Sequence, residues 1–120
     1  MPSTTTGKSC MAFEPGDVVL VPFPYRDAAA VKTRPAVVVS SSDFNQTGDI
    51  GVVAITSHAP RSAWDHGLLD WPTARLQFAS TVRMLVVSVS HDRVQLQIGR
   101  LSDRDWDAVK ERVHRVIDVP

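Results

Sequence analysis

TRPAVVVSSSD (residues 33–43) sets an arginine and a proline against a run of apolar, mostly β-branched residues. A proline has no backbone donor, and a strand tolerates it best at its first residue. It also drives the residue before it, Arg34, into an extended conformation. The AVVV run is almost continuously apolar, the pattern of a strand covered on both faces. The stretch therefore reads as a buried strand over residues 36–41 with Arg34 fixed just ahead of it. The preceding PYRDAAAVKT (residues 24–33) is long for a hairpin loop, which makes it a candidate for function. A guanidinium held in this way either serves chemistry or is an ordinary surface arginine at a strand start. The residues by themselves leave both readings open.

Other strands follow from the same logic. DVVLVPF (residues 17–23) follows the turn pair Pro15-Gly16 and is rich in valine. GVVAITS (residues 51–57) ends in Thr56 and Ser57, hydroxyls suited to a phosphate oxygen or to plain edge polarity. STVRMLVVSVS (residues 80–90) is the longest, and VQLQIGRL (residues 94–101) alternates, with Gly99 a possible bulge. The region between residues 59 and 79 is irregular, with a short strand expected near Leu68 and Leu69. Residues from Ser102 onward read as a helix: Ser102 is an N-cap, and Asp105 stands three residues later as a capping-box variant. Trp106, Val109, Val113, Val116 and Ile117 fall at helical spacing. That stripe either covers the open end of a barrel or forms an interface. Short strands, turns and one terminal helix predict a mainly β fold, a small partly open β-barrel with a C-terminal α-helix.

Composition narrows the function classes. The chain has 120 residues, enough for one domain, expected over residues 12–120 behind a disordered N-terminal tail over residues 1–11. Thirteen basic residues balance thirteen acidic ones, so a nucleic-acid site would have to be local. The single cysteine, Cys10, fits a reducing compartment, read as cytoplasmic. No apolar run approaches the roughly 18 residues of a membrane span, so no membrane partner is expected. The opening MPSTTTGKSCMAF lacks the apolar core of a secretory signal.

PGDVVLVPFPYRD, KTRPAVVVSSSDFN, VVAITSH, STVR and GRLSDRDWDAV, taken in this order, resemble the MazF/PemK toxins. The resemblance runs from Phe13 to about Ile117. It implies an SH3-like barrel with a C-terminal helix, usually a homodimer, that cleaves single-stranded RNA at specific sequences without a metal. It implies a cognate antitoxin as partner and no cofactor. It assigns catalysis to Arg34 and Thr56, with Arg83 matching a further active-site arginine of some members. Ser57 and His58 at the strand end, with Arg26, Asp27 and Lys32 of the long loop, are the expected substrate contacts.

These residue types suit the chemistry. Attack of an RNA 2′-hydroxyl on the adjacent phosphorus gives a 2′,3′-cyclic phosphate and a 5′-hydroxyl and needs no external nucleophile. It needs charge stabilised on the phosphoryl oxygens, which a planar guanidinium does through two hydrogen bonds. Arginine stays protonated, so Arg34 acts as a charge stabiliser and not as a base. The chain departs from some relatives. Leu85 stands where they carry a carboxylate proposed as the base, and ARLQFAS (residues 74–80) replaces a Gly-Leu-x-Lys-Pro-Ser pattern. Asp27 or His58 is then a substitute for proton transfer, and a catalytically weak or inactive barrel that only binds an antitoxin peptide stays open. A CcdB-like gyrase poison is the other alternative, but the tryptophan it uses near the end of the last helix is missing; Trp106 lies at the helix start.

Two weaker clusters remain. His58, Asp65 and His66 match no compact zinc spacing, so no metal site is expected. Trp64, Trp71 and Phe78 alternate with Arg61 and Arg75, either to stack RNA bases or to pack a core or dimer.

Overall fold

The computed structural model describes residues 12–23 and 32–118. The expected tail with Cys10, and the loop residues Arg26 and Asp27, lie outside the described residues. The strands are β1 (Asp17–Phe23), β2 (Lys32–Val38), β3 (Asp49–Thr56), β4 (His66–Gly67), β5 (Thr81–Ser90) and β6 (Leu96–Arg100). They form one curled, partly open sheet in the order β4-β5-β3-β2-β1-β6, with every ladder antiparallel. The helices are α1 (Ser42–Asn45) and α2 (Asp103–Val116).

The deciding stretch lands in the middle of the sheet, but its strand starts earlier than the proline implied. β2 begins at Lys32 and ends at Val38, so Arg34 and Pro35 lie inside it, opposite Val21 and Leu20 of β1. The β2–β3 ladder begins only at Ala36, opposite Ala54. Pro35 thus stands one residue outside that ladder, where a missing donor costs no ladder bond on the β3 side. The strand pairs with β1 through residues 32–37, and that pairing outweighs the local preference for starting at proline.

The near-continuous valines are covered on both faces, as their pattern requires. Val19, Val21, Phe23, Ala36, Val38, Val52 and Ala54 bury one face. Val18, Val37, Val53, Ile55 and Val82 bury the other, under Val109 of α2. Each such valine contributes roughly 1.5–3 kcal/mol relative to exposure. The apolar stripe of α2 divides: Trp106, Val109 and Val113 pack on the sheet, whereas Val116 and Ile117 are exposed. The stripe therefore covers the sheet with its first three turns and leaves its last apolar residues in solvent.

Two short elements escaped the sequence. α1 is capped by Ser41, whose Oγ accepts from the Phe44 N–H at 3.2 Å. It seats Asn45, buried, which donates to the Phe13 carbonyl at 2.9 Å. A 3₁₀ turn over His91–Arg93 follows β5. The short strand expected at Leu68 and Leu69 forms just before them, at His66 and Gly67.

Segment 71–76 crosses from the β4 side to the β6 side. A Cβ built on Gly99 would lie 2.5 Å from the Ala74 carbonyl oxygen, so only glycine admits this backbone-to-backbone approach. The expected irregularity is there too: the β1–β6 register jumps from Val18↔Gly99 to Val19↔Gln97, leaving Ile98 unpaired. Ala74 is fully buried at this crossing. The crossing fixes where the next residues, 75–78, come to lie.

Candidate active site

Register places the expected catalytic residues. In β2–β3 the pairs run Val38↔Val52, Val37↔Val53, Ala36↔Ala54. Two steps further along the same register, Arg34 comes level with Thr56. In β3–β5, Thr56 faces Thr81 and Ala54 faces Arg83. Directly opposed residues share a face, and so do alternate residues of one strand. Arg34, Thr56 and Arg83 therefore lie on one face, in two adjacent rows. Beyond Arg83 the partner of Val53 is Val86, so Met84 and Leu85 are the extra residues of a bulge. Inserting two residues instead of one keeps Arg83 on the same face as Val87 and Val89.

A cleft of about 560 Å³ opens at this end of the sheet. Its walls are Leu20, Pro35, Ile55, Leu76, Leu96 and Ile98; its polar groups come from Arg34, Thr56, Ser57, Arg75, Gln77 and Ser80; Phe78 completes it. Among the described residues, no carboxylate lines it. Two guanidiniums, Arg34 and Arg75, at one largely apolar cleft make a site suited to a phosphate-bearing ligand.

Among the expected residues, Arg34, Thr56 and Ser57 border this cleft. Thr56 Oγ1 accepts from the His58 N–H at 3.3 Å, which fixes the hydroxyl and leaves its proton to donate. Arg83 is half-buried in β5 on the Arg34–Thr56 face but does not line the cleft. His58 is exposed just past β3, and Lys32 is exposed opposite Phe23 at the start of β2; neither lines the cleft. Leu85 projects from the bulge, 39% exposed.

The sequence did not single out Leu20, Leu96, Ile98 or Gln77. The half-exposure of Leu20, between buried Val19 and Val21, became visible only once β6 lay beside it. The aromatic cluster resolves into three different environments. Trp71 packs against the core. Trp64 lies under the Arg115 guanidinium, 4.9 Å from its ring centroid. Phe78 stands at the cleft, 65% exposed.

The histidine and carboxylate cluster is architectural. His66 Nε2 donates to Asp105 Oδ1 at 2.9 Å, and the Leu69 and Asp70 N–H groups donate to the same carboxylate at 2.9 and 2.8 Å. Burial of Asp105 opposes its charge, yet these donors outweigh it and hold its carboxyl below the ordinary value. Arg104 grips Asp70 with two bonds of 2.7 Å, and together with the Ser102 hydroxyl holds it well below the usual carboxylate range. Asp65 accepts the Arg61 N–H instead of facing His58. Among the described residues, no group of three histidine, cysteine or acidic side chains is placed to hold a metal. This network ties α2 to segment 66–70.

Fold and cleft together define a class: a small curled β-barrel with one C-terminal helix and an arginine-bearing cleft at the end of its central strands. The chain belongs to the PemK-like, MazF-like toxins of type II toxin–antitoxin systems, whose family model matches residues 14–117. Among curated proteins, no sequence relative matches it. It is similar in fold to an endoribonuclease from a mycobacterial species, solved with its cognate antitoxin, at 14% identity and a TM-score of 0.74, covering 91% of this chain and 98% of that one. It is likewise similar to MazF from Deinococcus radiodurans, at 19% identity and a TM-score of 0.73, covering 91% and 99%. The MazE–MazF structure from the same organism aligns at 20% identity with a TM-score of 0.72, covering 92% and 100%. The family and barrel expected from the residue motifs are thus those found.

Proposed function

We propose that this toxin is an endoribonuclease that cuts single-stranded RNA at specific sequences, without a metal, to a 2′,3′-cyclic phosphate and a 5′-hydroxyl. The observation that carries the proposal is the register that brings Arg34 level with Thr56 at a cleft whose charged lining residues, among those described, are arginines. In the reaction the scissile phosphate lies against Arg34, whose fork stabilises the charge that grows on the phosphoryl oxygens. The Thr56 hydroxyl donates to one of those oxygens, and Arg83 adds positive potential from the next row. The 2′-hydroxyl gives up its proton and its oxygen bonds to phosphorus as the P–O5′ bond breaks and the 5′-oxygen takes up a proton. Ser57, His58 and Lys32, with Arg26 and Asp27, contact the RNA strand. Proton transfer by Asp27 or His58 adds a factor of ~10²–10⁴.

The partners proposed are a cognate antitoxin that occupies the same cleft and a second copy of this chain, in the cytoplasm. Among the described residues, no helix is long and apolar enough to cross a membrane. The second reading, a barrel that only binds its antitoxin, draws on Leu85, which offers no proton-transfer group at the bulge. A gyrase poison finds less support, since Trp106 packs against the sheet. One experiment separates the three: purified protein is incubated with mixed-sequence RNA in EDTA, with a gyrase supercoiling assay in parallel. The proposal expects cut RNA and unaffected gyrase. Intact RNA with tight antitoxin binding supports the second reading, and RNA cut only after Mg²⁺ is restored overturns metal independence.

A further inference from the structure

Segment 75–78 brings a second guanidinium and an exposed ring to the cleft that carries Arg34. Arg75 holds φ of 64°, the left-handed region that an L side chain rarely adopts. The turn around it is pinned: Arg75 N–H donates to the Pro72 carbonyl at 3.0 Å and Leu76 N–H to the Trp71 carbonyl at 3.2 Å. Behind it, Ala74 is wedged against Gly99. Ahead of it, Ser80 Oγ donates to the Phe78 carbonyl at 2.7 Å. The segment is thus fixed at both ends, while the Phe78 ring stays 65% exposed at the cleft.

An exposed phenylalanine on a well-fixed segment, beside an arginine, has the make-up of a base-stacking subsite. We infer that Phe78 stacks a base of the bound RNA strand and that Arg75 holds the phosphate next to it, making the two determinants of affinity and base preference beside the cut bond. The inference rests on the ribonuclease reading for its ligand. Single-stranded RNA fits better than an acidic peptide because a flat open ring offers a base its whole face. The same cleft also presents Arg34 and Thr56, a pair suited to phosphate.

The test uses the full chain and a seven-nucleotide 2′-O-methyl RNA with one 2-aminopurine. The methyl group blocks cleavage, so binding is read directly. Stacking should quench the 2-aminopurine on binding to the wild type. Phe78→Ala should lose that quenching and weaken Kd by roughly 5- to 150-fold, and Phe78→Trp should restore both. Arg75→Gly suits the left-handed backbone and removes the charge. It should flatten the dependence of log K on log salt by ~0.7. Equal binding and quenching by wild type and Phe78→Ala would overturn the inference, as would absence of binding. A Phe78→Ala defect seen with an acidic amphipathic peptide but not with the RNA probe would also overturn it, in favour of a peptide site. Phe78-dependent binding of the probe by a protein that leaves unmodified RNA intact would uphold the subsite while the ribonuclease reading fell.

Discussion

Arg34 owes its position to Pro35. The proline keeps the backbone extended, and pairing with Val21 and Leu20 holds it in β2. This much was legible, because Arg-Pro before a valine run has few physical readings. The sequence misplaced both bounds of the strand, 36–41 against 32–38, since cross-strand pairing decides them. Thr56 was legible as a strand-end hydroxyl, but not its level with Arg34, which depends on register between two strands. Phe78 was ambiguous, because exposure of a ring cannot be read from its neighbours in the chain. Thr56→Ala should slow cleavage by roughly 12- to 150-fold, the worth of one hydrogen bond from a hydroxyl to a charged oxygen. Thr56→Ser should keep most of the rate. Arg34→Lys should recover only part of what Arg34→Ala loses, since an ammonium keeps the charge without the fork. Single-turnover rates at saturating RNA, with thermal melts as the folding control, check all three; a Thr56→Ala loss larger than that of Arg34→Ala would reverse the assigned roles.

Helix α2 is anchored at its start, where Ser102 caps it and Asp105 collects donors from His66, Leu69 and Asp70. The cap was readable from the Ser-x-x-Asp spacing. The reach of Asp105 into segment 66–70 was not, because those partners are more than thirty residues away. Asp105→Asn should cost about 2–4 kcal/mol, since it sets an amide N–H group, fully buried, against donors that the carboxylate accepts from. The folded-state pKa of Asp105 is lowered, so its contribution is present above the unfolded carboxylate value of about 3.9 and fades as pH falls below it. Urea midpoints should therefore drop less steeply with acid in Asp105→Asn than in the wild type. Parallel acid limbs would show that the carboxylate's charge does not matter there. Gly99→Ala should cost about 1–3 kcal/mol through its clash with the Ala74 carbonyl. It should also impair RNA binding by shifting segment 75–78. Full stability in Gly99→Ala would mean that the crossing yields easily.

At the scale of the molecule, the barrel and its helix followed from valine runs, turns and one capping signal, and the family from the order of five short motifs. The cleft was only partly legible, because residues 20, 34, 56, 75–78 and 96 meet through the curl of the sheet and the crossing at Gly99. Exposed Leu85 on the bulge and Val86 beside it, with Val116 and Ile117 at the end of α2, leave apolar surface for a second copy. Light scattering at micromolar concentration should give about twice the 13.2 kDa chain mass; a monomer mass would contradict the dimer. The central claim is that Arg34 makes this barrel a ribonuclease. Its most direct test is single-turnover cleavage of a mixed-sequence RNA in EDTA by wild type and Arg34→Ala, with product ends identified by mass spectrometry. The account predicts wild-type fragments that end in 2′,3′-cyclic phosphates, and a rate lower by ~10²–10³ in a folded Arg34→Ala. Fragments with other ends, or a folded Arg34→Ala that cuts at the wild-type rate, would contradict it.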